Sequence, residues 1–206
     1  MFDLHNHCLP GLDDGSCDWE ESLAMARMAV EDGIQGIVCT PHWIRGYFEN
    51  NRERTLAAVA VFKEKLEAHR IPLQVYPGSE IRLELDLLQE IESGEILTLN
   101  DTGTVVLIEL PSEILPRNLE QLFWDLQVRG LRPVISHPER NPALQKDPVR
   151  LFRLTEMGIL TQVTAASLLG RFGEGVRRFT ILLLEHQMVH IHPAKIHSLD
   201  LAMAKF

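Results

Sequence analysis

The chain begins with residues 1–7, MFDLHNH, a short strand pattern that ends in two histidines. Residues two apart on a strand point to the same face, so the imidazoles of His5 and His7 can converge on one ion. Alone, this pair is equally consistent with solvated or core histidines. Its meaning therefore depends on which residues follow the other strands of the chain.

Short apolar strand patterns alternate with amphipathic helical patterns along the sequence. The predicted strands are Phe2–His5, Gly36–Thr40, Leu73–Tyr76, Val105–Leu110, Pro133–Ser136, Leu160–Val163 and Val189–Ile191. The first predicted helix has Asp18 as its N-cap, runs through Val30 and is followed by a stop signal at Gly33. The other predicted helices are Arg52–His69, Leu119–Val128, Pro148–Met157 and Val176–His186. Repeated strand–helix units predict an α/β fold with a mostly parallel sheet, and their number favours a barrel-like sheet in one domain, residues 1–206. In such folds the chemistry lies at the carboxyl ends of the strands.

The composition limits the classes of function. The net charge is −9 with neutral histidines, which argues against a nucleic-acid-binding protein, since such proteins present a basic face. No apolar run approaches the roughly 20 residues that span a bilayer, and the N-terminal strand pattern predicts that there is no secretory leader. Cys8, Cys17 and Cys39 form no Cys-x-x-Cys pair, so we expect free thiols and a cytoplasmic location.

Metal-binding residue types follow most of the predicted strands. They are His5, His7, His42, Glu80, Glu109 and His137. Asp13-Asp14-Gly15 adds two carboxylates in a turn, and Arg140 follows the last of these strands. Each residue is weak evidence alone, but their joint occurrence at the edge where sites form favours a metal centre. Mixed imidazole and carboxylate sets suit Zn, Mn or Fe better than Ca, and so many ligands indicate two or three ions.

The order of these residues resembles the PHP (polymerase and histidinol phosphatase) superfamily, and the resemblance runs from Met1 to about Asp200. The closer resemblance is to its bacterial tyrosine-protein phosphatases of the CpsB/YwqE type. The segments that carry it are Asp3–His7, Asp13–Gly15, Glu20–Ser22, Thr40–His42, Gly78–Ile81, Ile108–Glu109 and His137–Arg140. Together these segments are specific, although none of them is specific alone.

The resemblance implies a distorted (β/α)7 TIM-like barrel of the PHP type, with a short or altered C-terminal end and a trinuclear metal site. The implied ligands are His5, His7 and Glu80 for the first ion, Glu80, Glu109 and His137 for the second, and Asp14, His42 and His197 for the third. The resemblance also implies that Arg140 binds the phosphate and that Arg140, Asp14 and His42 are the catalytic residues. The implied reaction is hydrolysis of a phosphoric monoester, in which a metal-bound hydroxide attacks phosphorus in line.

The resemblance also implies cofactors and a partner. The expected cofactors are two or three divalent or trivalent ions, with Mn first and Fe, Zn or Mg as alternatives. The implied substrate is a phosphotyrosine protein, namely the tail of a bacterial tyrosine kinase that controls capsule or exopolysaccharide synthesis. We expect neither a nucleic-acid partner nor membrane insertion.

The C-terminal segment departs from the family pattern at one ligand. The family pattern resembles Ala-Ser-Asp-x-His, whereas this chain has Lys195 two residues before His197. An ammonium group cannot ligate a metal, and its charge repels cations. His192 is an alternative source of the missing ligand. We therefore expect Lys195→Asp to raise the metal content found by elemental analysis, and equal content in both proteins would refute this.

Other interpretations of the same residues stay open. Cys39-x5-Arg45 has the spacing of the cysteine-dependent tyrosine phosphatases, although its loop has no glycine and Pro41 removes one amide. The metal ligands also fit a PHP phosphatase for a small substrate such as histidinol phosphate, or a degenerate metal-binding regulatory module.

Three aromatic residues close to His42 also allow two interpretations. Trp43, Tyr47 and Phe48, beside Arg45, are equally consistent with a pocket for an aromatic ring and with ordinary loop packing. The sequence does not separate these alternatives.

Overall fold

A computed structural model describes residues 1–84, 86–112 and 114–191. The described residues of Met1–Gly103 form one compact unit, and those of Thr104–Ile196 form a second. Parallel strand pairs and packed helices occur in each unit, so the predicted α/β class is confirmed. None of the described helices has the length and apolar character needed to cross a membrane.

The first unit combines a parallel sheet with a group of shorter strands. Its strands are β1 (Phe2–Asn6), β2 (Gly36–Cys39), β3 (His42–Ile44), β4 (Phe48–Glu49), β5 (Gln74–Pro77) and β6 (Glu80–Arg82). β1, β2 and β5 form a parallel sheet with β2 in the middle. β3 pairs in parallel with β6 and antiparallel with β4. Because β3 follows β2 and β6 follows β5 after short turns, both lie where the predicted strands end.

The helices of the first unit have recognisable start and stop signals. They are α1 (Trp19–Glu31), α2 (Arg52–Ala68) and α3 (Leu87–Glu92). α1 begins where predicted because the Asp18 carboxylate accepts a hydrogen bond from the backbone N–H of Glu21 at 2.9 Å. Gly33 follows its end with a φ of +80°, the left-handed conformation that favours glycine and stops helices. Asn51 caps α2 in the same way, and α2 packs on β5.

The second unit contains a parallel arrangement of its own. Its described strands are β7 (Val105–Glu109), β8 (Arg132–Ser136) and β9 (Leu160–Gln162). β8 pairs in parallel with both β7 and β9. The helices are α4 (Leu119–Val128), α5 (Pro142–Lys146), α6 (Pro148–Glu156), α7 (Ala165–Leu168) and α8 (Glu174–Glu185). α4 packs on β8, and a short 3-10 helix follows β8 directly.

Among the strands, the structure differs from the prediction in two respects. β3, β4 and β6 were not predicted, because strands of two or three residues are too short to show an alternating pattern. The predicted strand Val189–Ile191 was wrong in extent: within the described residues it is reduced to a single parallel bridge between Ile191 and Gln162.

Candidate metal centre

The two histidines of the N-terminal motif stand at the end of β1. The register between β1 and β2 shifts between Asp3 and Asn6, and such irregularities re-aim nearby side chains. The Nε2 atoms of His5 and His7 lie 3.0 Å apart. Both rings therefore face the same point, as their spacing predicted.

Glu80 lies at the centre of the imidazole group. It begins β6 and is the register partner of His42, which begins β3. Its side chain is fully buried, and its Oε2 lies 3.1, 3.3 and 3.2 Å from a ring nitrogen of His5, His7 and His42, respectively. A buried carboxylate needs donors or cations around it, and this group of imidazoles provides donors when the rings carry protons.

The loop after β1 brings a second buried carboxylate to His7. Asp13, which the sequence analysis did not assign to the site, has a side chain only 1% exposed. Its Oδ2 accepts hydrogen bonds from Nδ1 of His7 at 2.7 Å and from the backbone N–H of His42 at 2.9 Å. Its Oδ1 accepts one from the backbone N–H of Gly15 at 3.0 Å. Because an ionised carboxylate only accepts, Nδ1 of His7 carries a proton, and the ring turns its Nε2 toward Glu80.

Gly15 lets the loop that carries Asp13 and Asp14 pass close to β1. A Cβ at Gly15 would lie 2.1 Å from the carbonyl oxygen of His7, so only glycine lets the loop pass this close to β1. The side chain of Asp14 is instead 63% exposed, with its Oδ1 3.5 Å from Nε2 of His42. The Asp-Asp-Gly turn was the available sequence signal, but turn composition does not indicate which acid faces inward.

The pKa values of His7 and Asp13 reflect their pairing. Burial lowers the pKa of His7, but hydrogen bonds to Asp13 and Glu80 and the charges of both carboxylates raise it to about 10. Burial raises the pKa of Asp13. The hydrogen bond and charge of His7 and the hydrogen bonds from two backbone N–H groups outweigh this, so the pKa of Asp13 lies below its ordinary value. In the metal-free protein at neutral pH, a protonated His7 thus lies between two carboxylates.

Two groups of side chains place their ligand atoms close enough to share an ion. They are His5, His7 and Glu80, and His7, Asp14 and His42, with the atoms of each group within 4.8 Å of one another. Imidazole nitrogen combined with carboxylate oxygen is a donor set of Zn, Mn and Fe sites. The buried carboxylate of Glu80 also favours a cation at this position. The residues of the first unit therefore fit the kind of metal that the sequence analysis predicted.

We expect metal binding to release protons and to strengthen as the pH rises. His7 holds its proton up to a pH near its pKa of about 10, whereas a ligand imidazole must give up the proton on the nitrogen that binds the metal. Between about pH 7 and 9, Mn²⁺ affinity should rise by about tenfold per pH unit for each proton displaced. Calorimetric titration in buffers of different ionisation enthalpy measures the release. Equal heats in all buffers, with a pH-independent Kd, would contradict this expectation.

Three further predicted site residues, Glu109, His137 and Arg140, belong to the second unit. Glu109 ends β7, one position beyond the register pair Ile108 and Ile135, and His137 follows β8. His137 has a φ of +32°, a left-handed conformation that costs a residue with a Cβ about 1–3 kcal/mol and is common at functional sites. The assignment of Glu109 and His137 to a second ion stays a prediction.

Arg140 and its neighbour Glu139 point in different directions. Glu139 is fully buried, and its Oε1 accepts hydrogen bonds from the backbone N–H of Thr164 at 3.0 Å and from the hydroxyl of Ser167 at 2.7 Å. Arg140 is exposed, with its guanidinium carbon 4.4 Å from the centre of the Phe172 ring. Glu139 therefore anchors the turn after β8 and leaves Arg140 at the surface of this unit.

The C-terminal residues that the sequence analysis discussed are Lys195, His197 and the alternative ligand His192. All three lie outside the described residues. The predicted ligand role of His197 and the expected effect of Lys195→Asp therefore stay predictions.

The cysteine-dependent alternative requires an accessible thiolate at Cys39. The three cysteines are free, as predicted, but Cys39 is fully buried, with its Sγ 3.5 Å from the Sγ of the equally buried Cys8. A buried thiol is a poor nucleophile. The structure therefore favours the metal-dependent interpretation.

Comparisons with known protein sequences identify the relatives of this chain. The family model described as capsular polysaccharide synthesis, CpsB/CapC, matches residues 1–202. The tyrosine-protein phosphatase YwqE of Bacillus subtilis is 40% identical over 198 residues, covering 96% of this chain and 78% of that protein. The tyrosine-protein phosphatase CpsB of Streptococcus pneumoniae is 32% identical over 205 residues, covering 97% of this chain and 84% of that protein.

Two solved structures are similar to this one. The first comes from work on YwqE from Bacillus subtilis and CpsB from Streptococcus pneumoniae, described as unique metal-dependent tyrosine phosphatases. Its TM-score is 0.91 at 40% identity, covering 98% of this chain and 81% of the other. The second is a candidate histidinol phosphatase, hisK, from Listeria monocytogenes, with a TM-score of 0.50 at 10% identity and 98% of each chain covered. At that identity the second likeness concerns the fold alone.

Proposed function

Because the chain belongs to the CpsB/CapC family of capsular polysaccharide synthesis, we propose that it is a metal-dependent protein-tyrosine phosphatase. The proposed reaction is hydrolysis of a phosphoric monoester, with phosphotyrosine on a protein as the substrate. The names of the relatives at 40% and 32% identity support this activity. The donor set of the candidate metal centre supports its dependence on metal.

The single observation that carries the proposal is the buried carboxylate of Glu80 among the rings of His5, His7 and His42. Burying several ionisable groups together costs stability unless every charge is compensated. Such a cluster beside the ends of parallel strands is typical of a functional site. A metal centre accounts for its composition better than a structural core does.

We propose that eight residues act as ligands of two or three metal ions, with manganese as the preferred metal. They are His5, His7, Asp14, His42, Glu80, Glu109, His137 and His197. Bound ions would activate water as a nucleophile near neutral pH and neutralise charge on the phosphoryl oxygens. The chain's own contribution is to fix its ligands, as Asp13 does for the ring of His7. The side chain of Asp14 is exposed and lies beside His42, and we propose both as catalytic side chains together with Arg140.

Arg140 is proposed to bind the phosphoryl oxygens through two parallel N–H bonds of its guanidinium group. Arg140→Lys keeps the charge but removes this fork. We expect it to raise the KM for a phosphotyrosine peptide by about tenfold, the cost of about one charge-assisted hydrogen bond, with metal content unchanged. Steady-state kinetics measures the change, and Arg153→Lys on the exposed face of α6 is the matched control. An unaltered KM in Arg140→Lys would contradict the proposed role.

The proposed partner is the phosphorylated tail of a bacterial tyrosine kinase that controls capsule or exopolysaccharide synthesis, in the cytoplasm. The family description supports the link to capsule synthesis, and the names of the relatives support a phosphotyrosine protein as the partner. We also propose that residues 1–206 form a single domain, a distorted (β/α)7 barrel. The parallel pairings within each unit support that architecture.

An assay of one protein sample on two substrates tests the proposed function. A phosphotyrosine peptide and histidinol phosphate are offered to the same preparation, and its metal content is determined. We expect the protein to hydrolyse the phosphotyrosine peptide faster than histidinol phosphate. EDTA should abolish the activity, and added Mn²⁺ should restore it. Preferential hydrolysis of histidinol phosphate would replace the proposed substrate. Metal binding with hydrolysis of neither substrate would indicate a regulatory module.

A further inference from the structure

The hairpin of β3 and β4 presents two aromatic rings beside the candidate metal centre. The ring of Phe48 lies nearly parallel to that of His42, with 10° between the planes and 6.0 Å between the centroids. The ring of Tyr47 stands edge-on to Phe48 at a centroid distance of 4.5 Å, and 76% of Tyr47 is exposed. The two side chains thus extend from a proposed ligand outward to solvent.

The other large side chains of this hairpin are engaged in packing. Trp43 is 5% exposed, and its indole N–H donates to the Glu90 carboxylate at 3.1 Å. Arg45 forms ion pairs with Glu90 and with Asp86, the latter at 2.8 Å. Trp43 and Arg45 therefore hold the hairpin in place. Of the aromatic residues that the sequence analysis left open, Trp43 belongs to the packing interpretation.

We infer that Tyr47 and Phe48 form the subsite for the aromatic ring of an aryl phosphate, an inference that rests on the proposed phosphatase function. His42 and Asp14 lie in a group that fits a metal ion, so they would lie close to the phosphoryl end of the substrate. The ring of Phe48 lies beside that of His42, and the exposed ring of Tyr47 adjoins Phe48. Aromatic rings attract one another edge-on or offset at about 4.5–7 Å, which a phenyl group beside this pair can satisfy.

The test compares two phosphonates that differ in the ring alone. Phenylphosphonate and methylphosphonate both bind through a phosphonate group, and neither is hydrolysed, so the change in their Kd ratio between Mn²⁺-loaded variants reports the contribution of the ring. We expect Tyr47→Ala and Phe48→Leu each to reduce the preference for the phenyl compound by about 2- to 10-fold. Methylphosphonate binding should be unchanged. Tyr47→Phe, which keeps the ring, should retain the preference, as should Phe152→Ala, which removes an exposed ring on α6.

The outcomes separate the subsite from the phosphatase function. If the protein hydrolyses the phosphotyrosine peptide but both variants keep the full phenyl preference, the subsite is overturned and the function stands. If Phe48→Leu also loses binding of Mn²⁺ or of methylphosphonate, the role of Phe48 is to support His42, and the inference is overturned for Phe48. The phenyl preference of Tyr47→Ala then decides whether Tyr47 belongs to the subsite. If the unaltered protein binds neither phosphonate and hydrolyses no peptide, the function and the subsite are overturned together.

Discussion

Glu80→Gln is expected to remove bound metal and to lower kcat on a phosphotyrosine peptide by more than about 100-fold, since losing even an outer partner of a ligand costs about 10–100-fold. Glutamine has nearly the same shape, so the main change is the loss of charge. Glu80 is fully buried, and its Oε2 lies within 3.3 Å of three imidazole nitrogens. The neutral amide of the variant cannot neutralise the charge of a metal ion. Its NH2 group would also point hydrogen-bond donors at imidazole rings that need an acceptor.

Elemental analysis and turnover on the same sample measure the effect of Glu80→Gln. Glu31→Gln changes an exposed acid on α1 in the same chemical way and should keep both metal and activity. Circular dichroism reports whether each variant is folded. If Glu80→Gln does not fold, Glu80→Asp keeps the charge on a shorter side chain and should show weakened but measurable Mn²⁺ binding. Full metal content and an unchanged kcat in a folded Glu80→Gln protein would contradict the place of Glu80 in the centre.

The features that could be predicted from the sequence depend on local geometry. The cap at Asp18 and the stop at Gly33 define α1 because each acts on the nearest turn of helix. His5 and His7 share a direction because a strand has a period of two. The alternation of strands with helices indicated a parallel sheet, and the carboxyl ends of its strands indicated where ligands would lie. These inferences need no knowledge of distant contacts.

The features that the sequence analysis missed depend on contacts between distant segments. The pairing of His42 with Glu80 joins β3 to β6, and each strand is too short to be recognised by its pattern. The inward position of Asp13 rests on its hydrogen bonds with His7 and with the backbone of His42, which the composition of the turn does not encode. Both cases concern the first unit, where His5, His7, His42 and Glu80 meet. The part that Glu109 and His137 take in a second ion site stays a prediction.

Asp13→Asn is expected to weaken Mn²⁺ binding by about 10–100-fold although it removes no proposed ligand, the usual effect of losing a carboxylate that orients a metal-binding histidine. The two oxygens of Asp13 accept three hydrogen bonds, from His7, His42 and Gly15. An asparagine has one oxygen for these donors, and its NH2 group must face at least one N–H. His7 then loses both its anionic partner and a fixed ring orientation, so fewer molecules present Nε2 to the metal.

The pH dependence of Mn²⁺ binding distinguishes a positioning role of Asp13 from a merely structural one. The hydrogen bond and charge of Asp13 raise the pKa of His7, so Asp13→Asn should lower that pKa from about 10 toward its ordinary value. The range in which affinity rises with pH should then move to lower pH, and fewer protons should be released on binding at neutral pH. Asp125→Asn on α4, where the carboxylate accepts from the side chain of Gln121, is the matched control and should change neither quantity. A folded Asp13→Asn protein with the Kd and proton release of the unaltered chain would show that the contact with His7 is structural alone. If Mn²⁺ binding is weaker but its pH profile is unchanged, the loss of affinity comes from a change in the loop and not from His7. The reason is that Asp13 affects the proton that the metal displaces through its pairing with His7.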